Sequence, residues 1–313
     1  MGIAHWDDVQ KRRNERGQMA ATWSNLGSAA GSYRCGVTRL EMGPGEMPTP
    51  AHVHGEAEEI FYVLRGSGLT WMDEQAYELR AGDCIVYKNF HEAHTIRGGD
   101  EGLDVLAFGG REYTPVGELP RGGSMWSVTG WIEVHTDSHP WDREPPLEWP
   151  EPEAERPETI VNVADVEAEV RGGRRRRFLG SEAGSRWTGL THIELEPGVL
   201  SGPPHCHSAE EEIFVVLDGD GTLELTPSSW DTRVGDRPET HPVRAGSVVA
   251  RAPGTGVAHA FRAGDGRMKL IAWGTREPND VCWYPRSHKI FWRGLGVIGR
   301  IETLDYWDGE ELE

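Results

Sequence analysis

His52-Val53-His54 is followed after four residues by Glu59 and, six residues beyond it, by Gly66. The pattern returns as His205-Cys206-His207, Glu212 and Gly219. Residues two apart on a strand face the same side, so each pair can turn both imidazoles inward while Val53 or Cys206 turns away. A turn through residues 55–57 would bring the chain back antiparallel and set Glu59 opposite its pair. Two imidazoles and a carboxylate form a donor set for Mn, Fe, Co, Ni, Cu or Zn. His94 and His259 arrive on a later strand and complete three histidines and one glutamate per copy. Such a set leaves one or two positions for water or substrate, which metal catalysis needs. The expectation is a divalent transition metal, up to two per chain.

Rivals stand beside two of these residue types. Glu58 and Glu211 are also matched between the copies, but the six-residue gap to glycine favours Glu59 and Glu212 and leaves their neighbours facing solvent. With Glu59 turned inward, Phe61 and Val63 share its side, and Ile60 and Tyr62 take the other. His91 competes with His94. Its counterpart is Gly256, whereas His94 matches His259. Cys206 is expected to pack. His5, His135, His139, His192, His241 and His288 have no matched partner and read as surface or hydrogen-bonded residues.

The elements that must position these groups are themselves repeated. Leu26-Gly-Ser-Ala-Ala-Gly-Ser32 returns as Leu179-Gly-Ser-Glu-Ala-Gly-Ser185, and the register holds through Gly68 and Gly221. Later pairs continue at slightly larger offsets: Gly82/Gly246, Arg111/Arg276 and Trp141/Trp307. The period is too long for a solenoid and marks two whole domains. We read residues 1–141 as the first, 142–157 as a linker rich in proline and acidic residues, and 158–313 as the second.

Strand signals dominate each copy. Glu59-Ile-Phe-Tyr-Val-Leu64 and Glu212-Ile-Phe-Val-Val-Leu217 are β-branched and aromatic, and short apolar runs follow at intervals near ten residues. That rhythm predicts a sandwich or barrel. Helix is expected only around 7–14, around 163–170, and in short pieces elsewhere. The run Arg174–Arg177 reads as a solvated turn. The matched tails 111–141 and 276–307 are expected to cross to the other domain or a second subunit. Copy two carries a longer connection over 227–243. Tyr62 against Val215 and Ile96 against Phe261 are expected differences in the barrel linings.

Composition narrows the partners. A net charge of −19 repels nucleic acid and anionic membranes. No run approaches 18 apolar residues, so no membrane span is expected. Residues 1–16 lack an apolar segment, and four cysteines do not make a disulfide framework in a chain of 313 residues. A cytoplasmic protein with free thiols is expected, as a monomer or a homo-oligomer such as a homodimer, acting on a small molecule.

The spacing Gly-x6-His-x-His-x4-Glu-x6-Gly, from Gly45 to Gly66, is similar to the first cupin motif, with one extra residue before the histidines. Pro253-Gly-Thr-Gly-Val-Ala-His259 resembles the second motif in relaxed form, and Asn89 to His94 departs further by lacking its Pro-x-Gly. The whole chain thus resembles a bicupin. The resemblance implies an all-β fold of two tandem double-stranded β-helix (jelly-roll) barrels with short N-terminal helical segments and a metal near each centre. Its implied ligands are His52, His54, Glu59 and His94, then His205, His207, Glu212 and His259.

Cupins with this ligand set include dioxygenases, decarboxylases, isomerases and binding proteins, and fold does not choose among them. Oxalate-type enzymes carry an arginine just before the first ligand pair and a Ser-Glu-Asn lid; here Pro48-Thr-Pro-Ala51 and Gly202-Pro-Pro204 stand there. Gentisate-type enzymes lack the glutamate. Quercetinase-like dioxygenases keep it, and in them a glutamate ligand also acts as base, the role this resemblance implies for Glu59 and Glu212. The favoured expectation is a dioxygenase-type oxidoreductase. The alternatives are a metal-dependent isomerase, epimerase or decarboxylase, and a binding protein with structural metals.

Overall fold

The computed structural model describes residues 2–55, 58–90, 92–111, 115–127, 130–132, 138–228 and 237–310. Each half folds as an antiparallel barrel. In the first, the long strands Glu59–Met72 and His94–Gly110 form the centre, flanked by Cys35–Met42 and Asp83–Tyr87. In the second, Glu212–Asp218, Met268–Gly274 and Gly189–Leu195 correspond to them, with Asp220–Pro227 and Val257–Ala263 on the opposite sheet. Gly66 and Gly219 adopt φ of +82° and +78° as the chain passes between sheets. A Cβ at either would meet a backbone oxygen at 2.1 Å, which explains the repeated glycine.

The central strands are apolar on both faces because both faces are covered. Phe61 and Val63 pack inside the first barrel, and Phe214 and Val216 inside the second. Ile60, Tyr62, Ile213 and Val215 turn the other way, into one core shared by the two halves. Tyr62 and Val215 therefore do not line the barrels, which corrects the expected lining difference; strand alternation sends them to the seam, on the side opposite Glu59 as its inward register predicted. Ile96 and Phe261 do face the interiors.

The halves are interleaved through their leading strands. Gly2–His5 pairs antiparallel with Ser247–Arg251 of the second barrel, and Ile160–Asn162 pairs with Asp83–Tyr87 of the first. Residues 144–153 run over the first barrel without regular structure. Leu147 and Trp149 pack there against Ala51, Trp71 and Ala93, and the Arg97 guanidinium lies 4.4 Å from the Trp149 ring centre.

Several local expectations are corrected. Residues 7–14 hold turns and part of the strand Lys11–Arg16, and 163–170 likewise lack helix. Among the described residues, the α-helices are Leu26–Ala29, Pro140–Arg143 and Leu179–Glu182, with single 3-10 turns at Pro285–Ser287 and Arg293–Leu295. Leu26 and Leu179 are wholly buried in the shared core, so tertiary burial decided where helix forms. Arg174–Arg177 is a strand paired with Gly189–Leu195, its guanidinium groups bound to carbonyls and to Glu194. Each tail closes its own barrel: Gly117–Leu119 pairs with Val53–His54, and Val281–Tyr284 with Cys206–His207. Of the longer connection in copy two, Glu239–Arg244 is a strand paired with Asp220–Pro227, and residues 229–236 lie outside the described residues. All four cysteines are buried and free. Among the described residues, no helix is long and apolar enough to cross a membrane.

Candidate metal centres

His54 ends the short strand Val53–His54 at the mouth of the first barrel, His52 just before it bridges to His94, Glu59 opens the central strand, and His94 opens the strand beside it. Their donor atoms all lie within 4.8 Å of one another. Glu59 Oε2 is 3.2 Å from His54 Nε2, 3.1 Å from His94 Nε2 and 3.8 Å from His52 Nε2. His52 Nδ1 lies 2.9 Å from Pro50 O, and His94 Nδ1 lies 3.1 Å from Glu92 O. Those carbonyls accept only from N–H, so both rings present Nε2 lone pairs to the centre. His94 also stacks on Tyr87 at 3.9 Å, and the Tyr87 hydroxyl lies 2.9 Å from Thr70 Oγ1. Burial pushes the His94 pKa down to about 4, which keeps the ring neutral at pH 7. Glu59 is held well below the usual carboxylate range, because the surrounding histidines outweigh the cost of burying its charge.

The second barrel repeats this floor with a difference. His205, Glu212 and His259 converge within 4.8 Å. His207 Nε2 lies 3.2 Å from Glu212 Oε2, while its Nδ1 lies 2.7 Å from Asp280 Oδ2 and 3.3 Å from Cys282 Sγ. Burial opposes charge on His207, but the Glu212 carboxylate and the Asp280 hydrogen bond outweigh it and raise its pKa. His205 Nδ1 lies 3.0 Å from Pro203 O, the counterpart of Pro50.

These donors suit a cation. Glu212 Oε2 and His259 Nε2 approach to 2.9 Å, yet each is buried without a hydrogen-bond partner. Two such atoms close together but not aligned to bond each other fit donors turned toward a shared third point. Orphaned buried polar atoms are costly, and a bound metal removes that cost. Both barrels thus hold a His/Glu group fit for a divalent metal, up to two per chain.

Glu58 and Glu211 are not solvent-facing. They are 4% and 0% exposed, and each reaches into the other half. Glu58 accepts hydrogen bonds from Ser185, Arg186, Trp187 and Thr188. Glu211 accepts from Ser32, Tyr33, Arg34 and Cys35. Strand alternation turns each away from its own barrel's histidines. His91 lies outside the described residues. Cys206 is buried, with Sγ facing Trp283 O.

A cavity of about 490 Å³ opens over the first group. Its walls include Trp23, Phe61, Ile96, Leu119, Trp126, Trp131 and Trp141, and among the described lining residues Glu59 is the one acidic group. The Trp126 ring centre lies 6.0 Å from His52 and 5.7 Å from His54. It can lie there because Gly117 separates the two strands; a Cβ at Gly117 would fall 1.8 Å from that ring. In the second barrel Cys282 occupies the equivalent of Gly117, and Tyr284 stacks on His205 at 5.5 Å. The repeat could have flagged Trp126, whose counterpart is Phe291, and Tyr284, whose counterpart is Leu119. It could not flag Asp280, because Pro115 stands at the matching place.

The cupin domain family matches residues 38–108 and 191–274. An auxin-binding protein from Nicotiana tabacum is 32% identical over 134 residues, 41% of this chain and 67% of the relative. Among solved structures, a mutant of Bacillus subtilis oxalate decarboxylase aligns with a TM-score of 0.62 at 14% identity, covering 88% of this chain and 77% of that one. The Lactobacillus farciminis oxalate decarboxylase in its formate complex aligns at 0.61 and 13% identity, covering 88% and 86%. At those identities the likeness is one of fold. With one copy of the cupin domain closed around each His/Glu group, the chain belongs to the cupin superfamily as a metal-binding bicupin.

Proposed function

We propose that the first barrel is the reacting site of a metal-dependent small-molecule enzyme, with His52, His54, Glu59 and His94 as ligands. His205, His207, Glu212 and His259 hold the second metal. The observation that carries this reading is the aromatic cavity above the first donor group. A pocket of this size and lining takes a planar, largely apolar molecule and excludes bulk water. The substrate class is an aromatic acid or phenol whose oxygen reaches the metal. The ion supplies Lewis acidity and, if redox-active, one-electron chemistry with dioxygen. Trp126 and Trp131 hold the ring, and the Glu59 carboxylate takes the proton of the substrate hydroxyl. Dioxygenase-type oxidation is the leading reaction.

A non-oxidative decarboxylation is the second reading. The fold neighbours named above are oxalate decarboxylases, and Mn(II) centres are named for the Bacillus subtilis enzyme. Oxalate itself suits this cavity poorly: Arg111, the one basic wall residue besides the histidines among the described residues, is bound to Ser32 O, Asn25 and Ser28. Binding without turnover is the third reading, favoured by the auxin-binding relative.

The test is a panel of phenols and aromatic acids offered to metal-loaded protein. Oxygen uptake with substrate loss supports the leading reading. Carbon dioxide release under nitrogen moves the assignment to the second. Saturable calorimetric binding without turnover moves it to the third.

A further inference from the structure

We propose that Asp280 is the positioning residue of the second barrel, fixing His207 so that this barrel holds its metal more tightly than the first does. The inference rests on the ligand assignment above. Asp280 is 1% exposed, and Cys282 Sγ lies 3.7 Å from its Oδ2. Oδ2 accepts from His207 Nδ1 at 2.7 Å, and Oδ1 accepts from the backbone N–H groups of Ala209 and Glu210 at 3.0 and 3.1 Å. Ser208 Oγ lies 3.5 Å from Oδ1, and Arg293 Nε 3.8 Å from Oδ2.

The carboxylate is thus clamped before it meets the imidazole. A fixed acceptor at Nδ1 keeps a proton there and aims Nε2, the atom a metal would take in place of its proton, at the Glu212 carboxylate 3.2 Å away. A histidine held in one tautomer and one orientation gives up less freedom on binding metal, and its basicity rises. The contact is also shielded: the His207 side chain is 6% exposed against 23% for His54. Among the described residues, no carboxylate bonds Nδ1 of His54. Asp280, His207 and Cys282 also lie close enough to form a metal group of their own. We favour the positioning role because both Asp280 oxygens already carry hydrogen bonds.

The test uses the full chain with Mn(II) as the probe ion, binding being measured against a competing chelator. His54→Ala leaves the second site and His207→Ala leaves the first. The His54→Ala protein should bind its remaining ion the more tightly. Asp280→Asn, introduced into the His54→Ala protein, should weaken that affinity about 10–100-fold. In the His207→Ala protein it should change nothing. Equal or reversed affinities of the two single-site proteins overturn the inference, and they need no Asp280 variant to fold. An unchanged affinity after Asp280→Asn also overturns it. Complete loss of the ion from the second site on both Asp280→Asn and Cys282→Ala would make those residues ligands and overturn it too. Two ions retained in the His207→Ala protein overturn the ligand assignment along with it.

Discussion

Ser185 Oγ donates a 2.6 Å hydrogen bond to Glu58 Oε2 across the seam between the two barrels, and Ser32 Oγ donates to Glu211 Oε2 at 3.0 Å in the mirror contact. Each glutamate is the chain neighbour of the glutamate in its barrel's His/Glu group. The last serine of the repeated Leu-Gly-Ser-x-Ala-Gly-Ser segment therefore opens the loop that receives the other half's carboxylate.

Glu58→Ala should destabilise the protein by about 3 kcal/mol, because it orphans several buried donors at once. Glu211→Ala should match it. Melting curves check this, and an unchanged midpoint in either variant would refute the latch.

Metal content should separate the adjacent carboxylates. Glu59→Gln should reduce bound metal from about two ions per chain toward one, and Glu58→Gln should leave it near two. Elemental analysis of folded protein reads the difference. The reverse pattern would mean that the carboxylates at the seam, not those in the barrels, hold the ions.

Acid should weaken the metal-free fold. Burial pushes His94 and His192 down to about 4 and His259 to about 3, while an unfolded histidine protonates near about 6.5. Between those values the unfolded chain binds more protons at these histidines, so the stability they contribute falls as pH falls through about 6.5 toward 4, by up to about 1.4 kcal/mol per group per pH unit. His54 and His207 have raised pKa values and contribute constantly in that window. Denaturant melts of chelated protein at pH 6.5 and 4.5 give the slope, and a flat profile would contradict it.

Removing metal should lower the melting temperature, since the ion binds only the folded donor groups. Thermal scans before and after exhaustive chelation, with metal content measured, test this. Coincident curves would show that the ions add nothing to folding.

Trp126→Ala should weaken binding of phenols and aromatic acids roughly tenfold, the cost of losing one ring contact beside His52 and His54. Titration of the metal-loaded protein measures it. Unaltered affinity would remove Trp126 from the substrate site.

The sequence alone determined the repeat, the all-β architecture and the grouping of histidines with Glu59 and Glu212. Those features follow from spacing: strand alternation and the glycine after each central strand act over a few residues. Which covered face of a central strand meets solvent, barrel or partner domain is not a local property. Glu58 and Glu59 differ only in direction, and the partner of Glu58 is 127 residues away. The exchanged strands at Gly2–His5 and Ile160–Asn162, the seam that takes Tyr62, and the Asp280 clamp on His207 all join distant segments. Burial across the seam chose those contacts, and no pattern within one segment encodes it.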